Sequence, residues 1–174
     1  GLNDRFARGP EDDVAVLAME LLREQARSKT MSIASLPSEI RHVENSVLPL
    51  LRAKGWGERT LFDVKLALEE AVSNAIKHGN QLDSTKRVKV EFSADEEEGV
   101  ISVEDEGEGF DPAHVPDPTL DENIEASSGR GIALMRAAMD SVEYNEKGNV
   151  VTLIKASPWK LEGSLLRGQE QPEA

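Results

Sequence analysis

Apolar positions recur every three to four residues in four stretches of the chain and alternate with polar ones in five shorter stretches. These two periods separate helices from strands. Residues 11–27 carry Val14, Leu17, Met19, Leu21 and Leu22 among polar residues, which predicts an N-terminal helix outside the main domain. From Ser28 to Leu36, Met31 and Ile33 alternate with Ser32 and Ala34, a short strand. Ser38 and Glu39 behind Pro37 open a helix that is expected to end at Gly55, with Pro49 kinking or dividing it. A second helix is expected from Thr60 to Lys77, with Thr60 as N-cap and Gly79 as C-cap.

Further along, Val88, Val90 and Phe92 alternate with charged residues between Arg87 and Ala94, and Val100–Val103 answers them. The acidic linker Asp95–Gly99 makes the pair a hairpin. Residues 106–129 show no apolar period and are rich in Gly, Pro and acids, so they are expected to form a long loop of functional importance or a disordered one. Gly131 to Asp140 predicts a third domain helix through Ile132, Leu134, Met135 and Met139. Val142–Tyr144 and Asn149–Lys155 form a second hairpin across Asn145–Gly148. The expected fold class is α+β: a two-layer sandwich with helices on one face of a mixed, mostly antiparallel sheet. It divides into an N-terminal extension (1–27), one domain (28–156) and a tail (157–174).

Composition narrows the function classes. The 174 residues hold 20 Lys+Arg against 33 Asp+Glu, a net charge of −13. That balance argues against a nucleic-acid binder, whose affinity for phosphates comes from clustered cations. No cysteine is present, which removes disulfides, thiolate nucleophiles and Cys-ligated zinc. No apolar run approaches the ~18 residues of a membrane span. Gly1-Leu2-Asn3-Asp4-Arg5 carries no signal-peptide core, so a cytoplasmic location with no membrane partner is expected.

Three segments carry candidate chemistry. On the second helix, Leu61, Val64, Leu68, Val72 and Ala75 form an apolar stripe, leaving Glu70, Asn74 and Lys77 on the opposite side. Helical geometry confines these three to an arc of about 60°. On a lone helix that is a solvated face. Turned to a ligand, its carboxylate and amide oxygens suit a hard cation such as Mg²⁺, and its Lys suits phosphate. The second segment is Asp105-Glu106-Gly107-Glu108-Gly109, at the end of a strand. Gly107 and Gly109 permit close approach of a ligand to the backbone, and Asp105 is placed to accept from an exocyclic amine. An acidic turn closing a strand would read the same way. The third is Gly129-Arg130-Gly131 opening a helix, where backbone N–H groups and the Arg130 charge suit an anion. There is no third glycine for a dinucleotide fingerprint and no P-loop.

In this order, Glu-x-x-x-Asn on a helix, Asp-x-Gly-x-Gly after a strand, a long loop and Gly-x-Gly on a helix, the chain resembles the GHKL (Bergerat-fold) ATP-binding superfamily. Within it the chain is most similar to the anti-sigma-factor serine/threonine-protein kinases. The resemblance covers residues 28–156 and implies a histidine-kinase-like ATPase fold, with ATP and Mg²⁺ as ligands. It implies that Asn74 holds Mg²⁺ and that Glu70 is the catalytic base for a substrate hydroxyl. Asp105 would accept from the adenine amine, above a floor shaped by Gly107 and Gly109. Residues 111–128 would be a lid, with Gly129, Arg130 and Gly131 at the phosphates. Lys77 and His78 are further expected phosphate contacts. The family's Gly-Thr after the last hairpin is replaced here by Gly148-Asn149, which retains a hydrogen-bonding group.

The partners this resemblance implies are a sigma factor and an anti-anti-sigma (STAS) protein presenting a serine. The helix over 11–27 is expected to bury its stripe in a homodimer or against the sheet. Two other readings stay open. One is a nucleotide-binding regulatory module without catalysis. The other is the catalytic domain of a histidine kinase, against which His42 is followed by Val43 rather than an acid.

Overall fold

The computed structural model describes residues 28–95, 98–111 and 130–157. The expected helix over 11–27, residues 112–128 of the expected lid, Gly129 and the tail beyond 157 lie outside the described residues. Among those described, five strands run as β1 (Ser28–Ala34), β2 (Arg87–Ala94), β3 (Glu98–Asp105), β4 (Ser141–Tyr144) and β5 (Val150–Ala156). Three α-helices accompany them: α1 (Ile40–Ala53), α2 (Glu58–Asn74) and α3 (Arg130–Ala138). The fold is α+β. One open sheet in the order β1-β2-β3-β5-β4 has every neighbouring pair antiparallel.

Register explains the core. Met31, Val90, Val103, Val151 and Tyr144 face one another across all five strands, and Phe92, Ile101, Leu153 and Val142 make the next row. Period-two alternation puts both rows on one face, where they meet Val43, Val47 and Leu51 of α1, Leu61, Val64, Leu68 and Val72 of α2, and Ile132 and Met135 of α3. Lys89 and Glu91 project from the other face and are exposed. No described helix is long and apolar enough to cross a membrane.

Several helix boundaries differ from those expected. Pro49 does not divide α1. The ring sits on the exposed side, so the carbonyl that loses its helical partner faces water, while Val43, Val47 and Leu51 bury the opposite stripe. Thr60 is not the N-cap of α2: Gly57 is, in extended conformation (φ −71, ψ 156), with its carbonyl accepting from the Leu61 amide at 3.0 Å. Glu58 then occupies the first turn, where its carboxylate suits the helix dipole and takes two 3.1 Å hydrogen bonds from Arg52. Gly79 is not a left-handed C-cap either. After Asn74 the backbone widens into a single π turn (Ala75–Gly79), closed by the Asn80 amide donating to the Ala75 carbonyl at 2.8 Å. The third helix begins at Arg130 and stops at Ala138, one residue earlier than expected at its start and two at its end.

Two polar anchors hold this arrangement. Lys155 on β5 lies 3.5 Å from Asp63 of α2 and 3.7 Å from Asp140, and donates to the Ala138 carbonyl at 2.6 Å, pinning the end of α3 beside the start of α2. Asn80 is fully buried. Its amide donates to the Arg87 carbonyl at 2.9 Å and its oxygen accepts from the Glu106 amide at 2.9 Å, tying the π turn to the start of β2 and the end of β3. Asn80→Ala leaves both backbone groups without these partners and is expected to cost on the order of 2–3 kcal/mol. Thermal denaturation should read that as a fall of about 4–12 °C.

Candidate functional site

The end of β3, the π turn and the start of α3 converge on one cavity of about 470 Å³. Val103, Val151, Ile132 and Ala71 give it apolar walls, and Asp105, Asn74 and Asn149 add polar groups. A mostly apolar pocket with a few placed polar groups is the usual form of a small-molecule site.

Asp105 ends β3 and is half-buried. Its Oδ1 accepts from the Gly107 amide at 2.8 Å, which aims the carboxyl. Removal from water raises its pKa above the ordinary carboxylate value, an effect the Gly107 N–H and the charge of Lys147 partly offset. Lys147 is held nearby by donating to the Gly107 carbonyl at 2.9 Å. Asn149, where the family resemblance expects Thr, is buried and donates to the Asp105 carbonyl at 2.9 Å, while its own oxygen accepts from Asn145 at 3.0 Å. Its side chain therefore props the strand end that carries Asp105.

The glycine expected to cap α2 has a different use. A Cβ on Gly79 would collide with the Asp105 carboxylate, so only glycine lets the π turn close over that group. Gly107 packs against the Gly79 carbonyl for the same reason. Gly109 has φ +82, a conformation open to glycine, and runs against the Lys147 carbonyl, so the chain after β3 lies flat on the β4–β5 turn. Phe110 follows, its amide bonded to the Lys147 carbonyl at 3.1 Å and its ring edge-on to Tyr144 with centroids 5.1 Å apart. Both aromatics line the cavity. Burial pushes the Tyr144 phenol up to about 12, so it stays protonated at neutral pH.

At the other end stand Glu70 and Asn74, one helical turn apart on α2 and both partly exposed. A Cβ on Gly131 would lie 2.7 Å from Glu70 Oε2 and 3.3 Å from Asn74 Nδ2, so glycine there lets the first turn of α3 abut both side chains. Glu69 is exposed, whereas Glu70 faces α3. His78 is exposed and lines the cavity; Lys77, on the same π turn, is exposed and does not. Arg130 is exposed at the start of α3, and Gly129 lies outside the described residues.

The structure thus brings Asp105, Gly109, Asn74 and His78 around one cavity; Gly107 lies behind Asp105 and does not line it, and Glu70 and Gly131 meet beside Asn74. Sequence reasoning did not find the clearance at Gly79, the Asn80 strut or the Phe110–Tyr144 pair.

Comparison with known proteins gives the family. The histidine kinase-like ATPase domain family matches residues 33–155. The anti-sigma F factor of Clostridium perfringens (strain SM101 / Type A) is 42% identical over 98 residues, covering 54% of this chain and 69% of the relative. Serine-protein kinase RsbW of Bacillus licheniformis is 32% identical over 110 residues, 58% of this chain and 68% of the relative. RsbW of Bacillus subtilis (strain 168) is 27% identical over 134 residues, covering 72% and 82%. Among solved structures, the RsbU and RsbW domains of Rv1364c from Mycobacterium tuberculosis align at a TM-score of 0.49 and 18% identity, covering 75% of this chain and 32% of that one. The match over most of the described fold, together with the Asp105 cavity and the Glu70–Asn74 helix, shows that the chain belongs to the histidine kinase-like ATPase domain family, among relatives named anti-sigma F factor and serine-protein kinase RsbW.

Proposed function

We propose that this chain is an ATP-dependent protein-serine kinase and anti-sigma factor, which phosphorylates a serine on an anti-anti-sigma (STAS) protein and sequesters a sigma factor. The single observation that carries the reading is the Gly131 contact: it brings the start of α3 against Glu70 and Asn74 at the edge of the cavity that contains Asp105. A nucleotide lying in that cavity with its base at Asp105 has its phosphates directed toward α3 and Glu70.

The residues fit the ligands. Asp105 is an acceptor in an otherwise apolar recess, which suits a flat base with an amino group. Among the described residues no cluster of three or more acids or histidines can hold a metal by itself. Asn74 offers one amide oxygen, so Mg²⁺ would be held jointly by Asn74 and phosphate oxygens. When bound, it neutralises phosphate charge. Exposed Lys77 and Arg130, with the N-terminus of α3, supply further positive potential in a chain of net charge −13, and His78 offers a hydrogen-bonding group. Gly109 borders the cavity, and the resemblance adds Gly107 below the base and Gly129 at the phosphates.

The chemistry asked of the protein is positioning and one proton transfer. The serine oxygen forms a bond to the γ-phosphorus, the bond from that phosphorus to the bridging oxygen breaks, and ADP leaves. Glu70 takes the serine proton. Gly131→Ala places a methyl against Glu70 Oε2 and is expected to lower transfer by about 10²-fold, the cost of a misplacement near 1 Å. Nucleotide affinity, read by titration calorimetry, should change far less.

The test is direct. Purified chain, Mg-ATP labelled at the γ-phosphate and each STAS-domain protein of the encoding genome are incubated pairwise. Label on a serine of one of them supports the reading. ATP binding with no labelled partner would leave a nucleotide-dependent binding module. Label on His42 of this chain would instead favour the histidine-kinase reading.

A further inference from the structure

One feature of α2 plays no part in this mechanism. Phe62 is 63% exposed, the most of any large hydrophobic residue among those described. Leu66, one turn on, is partly exposed on the same side, and Glu70 follows at the next turn. At 1.5 Å per residue, Leu66 and Phe62 stand about 6 Å and about 12 Å along the helix axis from Glu70.

α3 runs antiparallel to α2 alongside this strip. Its Gly131 meets Glu70 and Asn74, while Lys155 joins its far end at Ala138 to Asp63. Leu134, partly exposed, lies one turn beyond Gly131 on α3, between these two points of contact with α2. An exposed arginine stands at each end: Arg59 one turn before Phe62, and Arg130 beside Gly131. Neither forms an ion pair among the described residues, in a chain of net charge −13.

We propose that Phe62, Leu66 and Leu134, bracketed by Arg59 and Arg130, are the docking surface for the phospho-acceptor protein, whose matching face is apolar with acidic side chains at its rim. The proposal rests on the kinase reading above. A serine that reaches Glu70 belongs to a folded partner, and a specific interface buries about 800 Å² on each side. A patch of that size centred near Glu70 covers the two preceding turns of α2. The exposed Phe there supplies the aromatic anchor that such interfaces use. The paired arginines match acidic groups and set register.

The test uses the full chain with each STAS-domain protein of the encoding genome, purified singly, and measures initial rates of phosphate transfer. F62D is the disruptive variant and F62L the conservative one. Phe62 is exposed and outside the nucleotide cavity, so F62D should melt near the wild type and keep its stabilisation by Mg-ATP. The expected result is a rise in KM for the acceptor of about tenfold or more in F62D, with kcat within about twofold and F62L close to wild type. Raising ionic strength should raise KM in the wild type and have less effect in Arg59→Gln. An unchanged KM in F62D, with the wild type active, overturns the docking surface and leaves the kinase standing. A dimer that F62D splits without changing KM also overturns it, assigning the face to a second copy of the chain. Transfer to no acceptor by the wild type removes the kinase reading and this proposal together.

Discussion

Replacing Glu70 by Gln is expected to lower phosphoryl transfer by about 10²–10⁴-fold, the usual contribution of a positioned general base. The substitution keeps volume and a carbonyl oxygen and removes only the capacity to take a proton. Glu70 lies against the Cα of Gly131, so a larger change would also move α3, whereas Gln preserves that contact. Mg-ATP affinity is expected to survive, because the cavity lining contains Asn74 and Asp105 but not Glu70. Rates of label transfer to the acceptor, beside calorimetric titration of the same preparations, separate the two. A Glu70→Gln chain with wild-type rates would move the base elsewhere. Glu69→Gln serves as the control and should be nearly silent, since Glu69 is exposed and it is Glu70 that meets Gly131.

Asp105→Asn is expected to abolish stabilisation by nucleotide while leaving the fold intact. Asparagine keeps the oxygen that accepts from the Gly107 amide at 2.8 Å, but its NH₂ can replace the carboxylate as the group facing a base amine. Two donors then oppose each other in a largely apolar recess. For the wild type at a hundredfold excess over Kd, bound Mg-ATP adds about 2.7 kcal/mol. In a chain of this size that is roughly 5–11 °C in Tm. Asp105→Asn should show none of it.

The unliganded proteins should differ in the opposite sense. Burial raises the Asp105 pKa in the folded state, so its favourable contribution is complete below the unfolded carboxylate value and is lost as pH rises through the folded one. Above that, the ionised and half-buried carboxylate is a burden that Asn lacks. At neutral pH the unliganded variant should melt at or above the wild type, and its stability should depend less on pH across that acidic window.

Much of this was legible because periods of two and of three to four residues survive in strands and helices that bury one side. Val88, Val90 and Phe92 announced β2, and Leu61, Val64, Leu68 and Val72 announced α2, because each set shares one face of the core. Boundaries fared worse. Thr60 is a good N-cap by type, yet Gly57 caps the helix, since Arg52 draws Glu58 into the first turn. Pro49 is a good breaker by type, yet α1 runs through it, because its cost falls on the solvated side.

At the site, the three motifs are legible in the sequence because each is local. Gly79 has the local pattern of a cap, while its use lies in the distance to Asp105, which no local pattern contains. Asn80 carries no local signal for the same reason: its partners, Arg87 and Glu106, lie at the ends of two strands that meet only in the folded sheet. Phe62 falls between the apolar positions of its helix, and only the packed structure shows how much of it remains in water.

Calorimetric titration of the wild-type chain with Mg-ATP, beside Asp105→Asn and Glu70→Gln, tests the central claim most directly. One cavity that reads the base with Asp105 and leaves catalysis to Glu70 predicts a single site per chain, kept in Glu70→Gln and lost in Asp105→Asn. No binding to the wild type at millimolar Mg-ATP, or equal binding by Asp105→Asn, would contradict it.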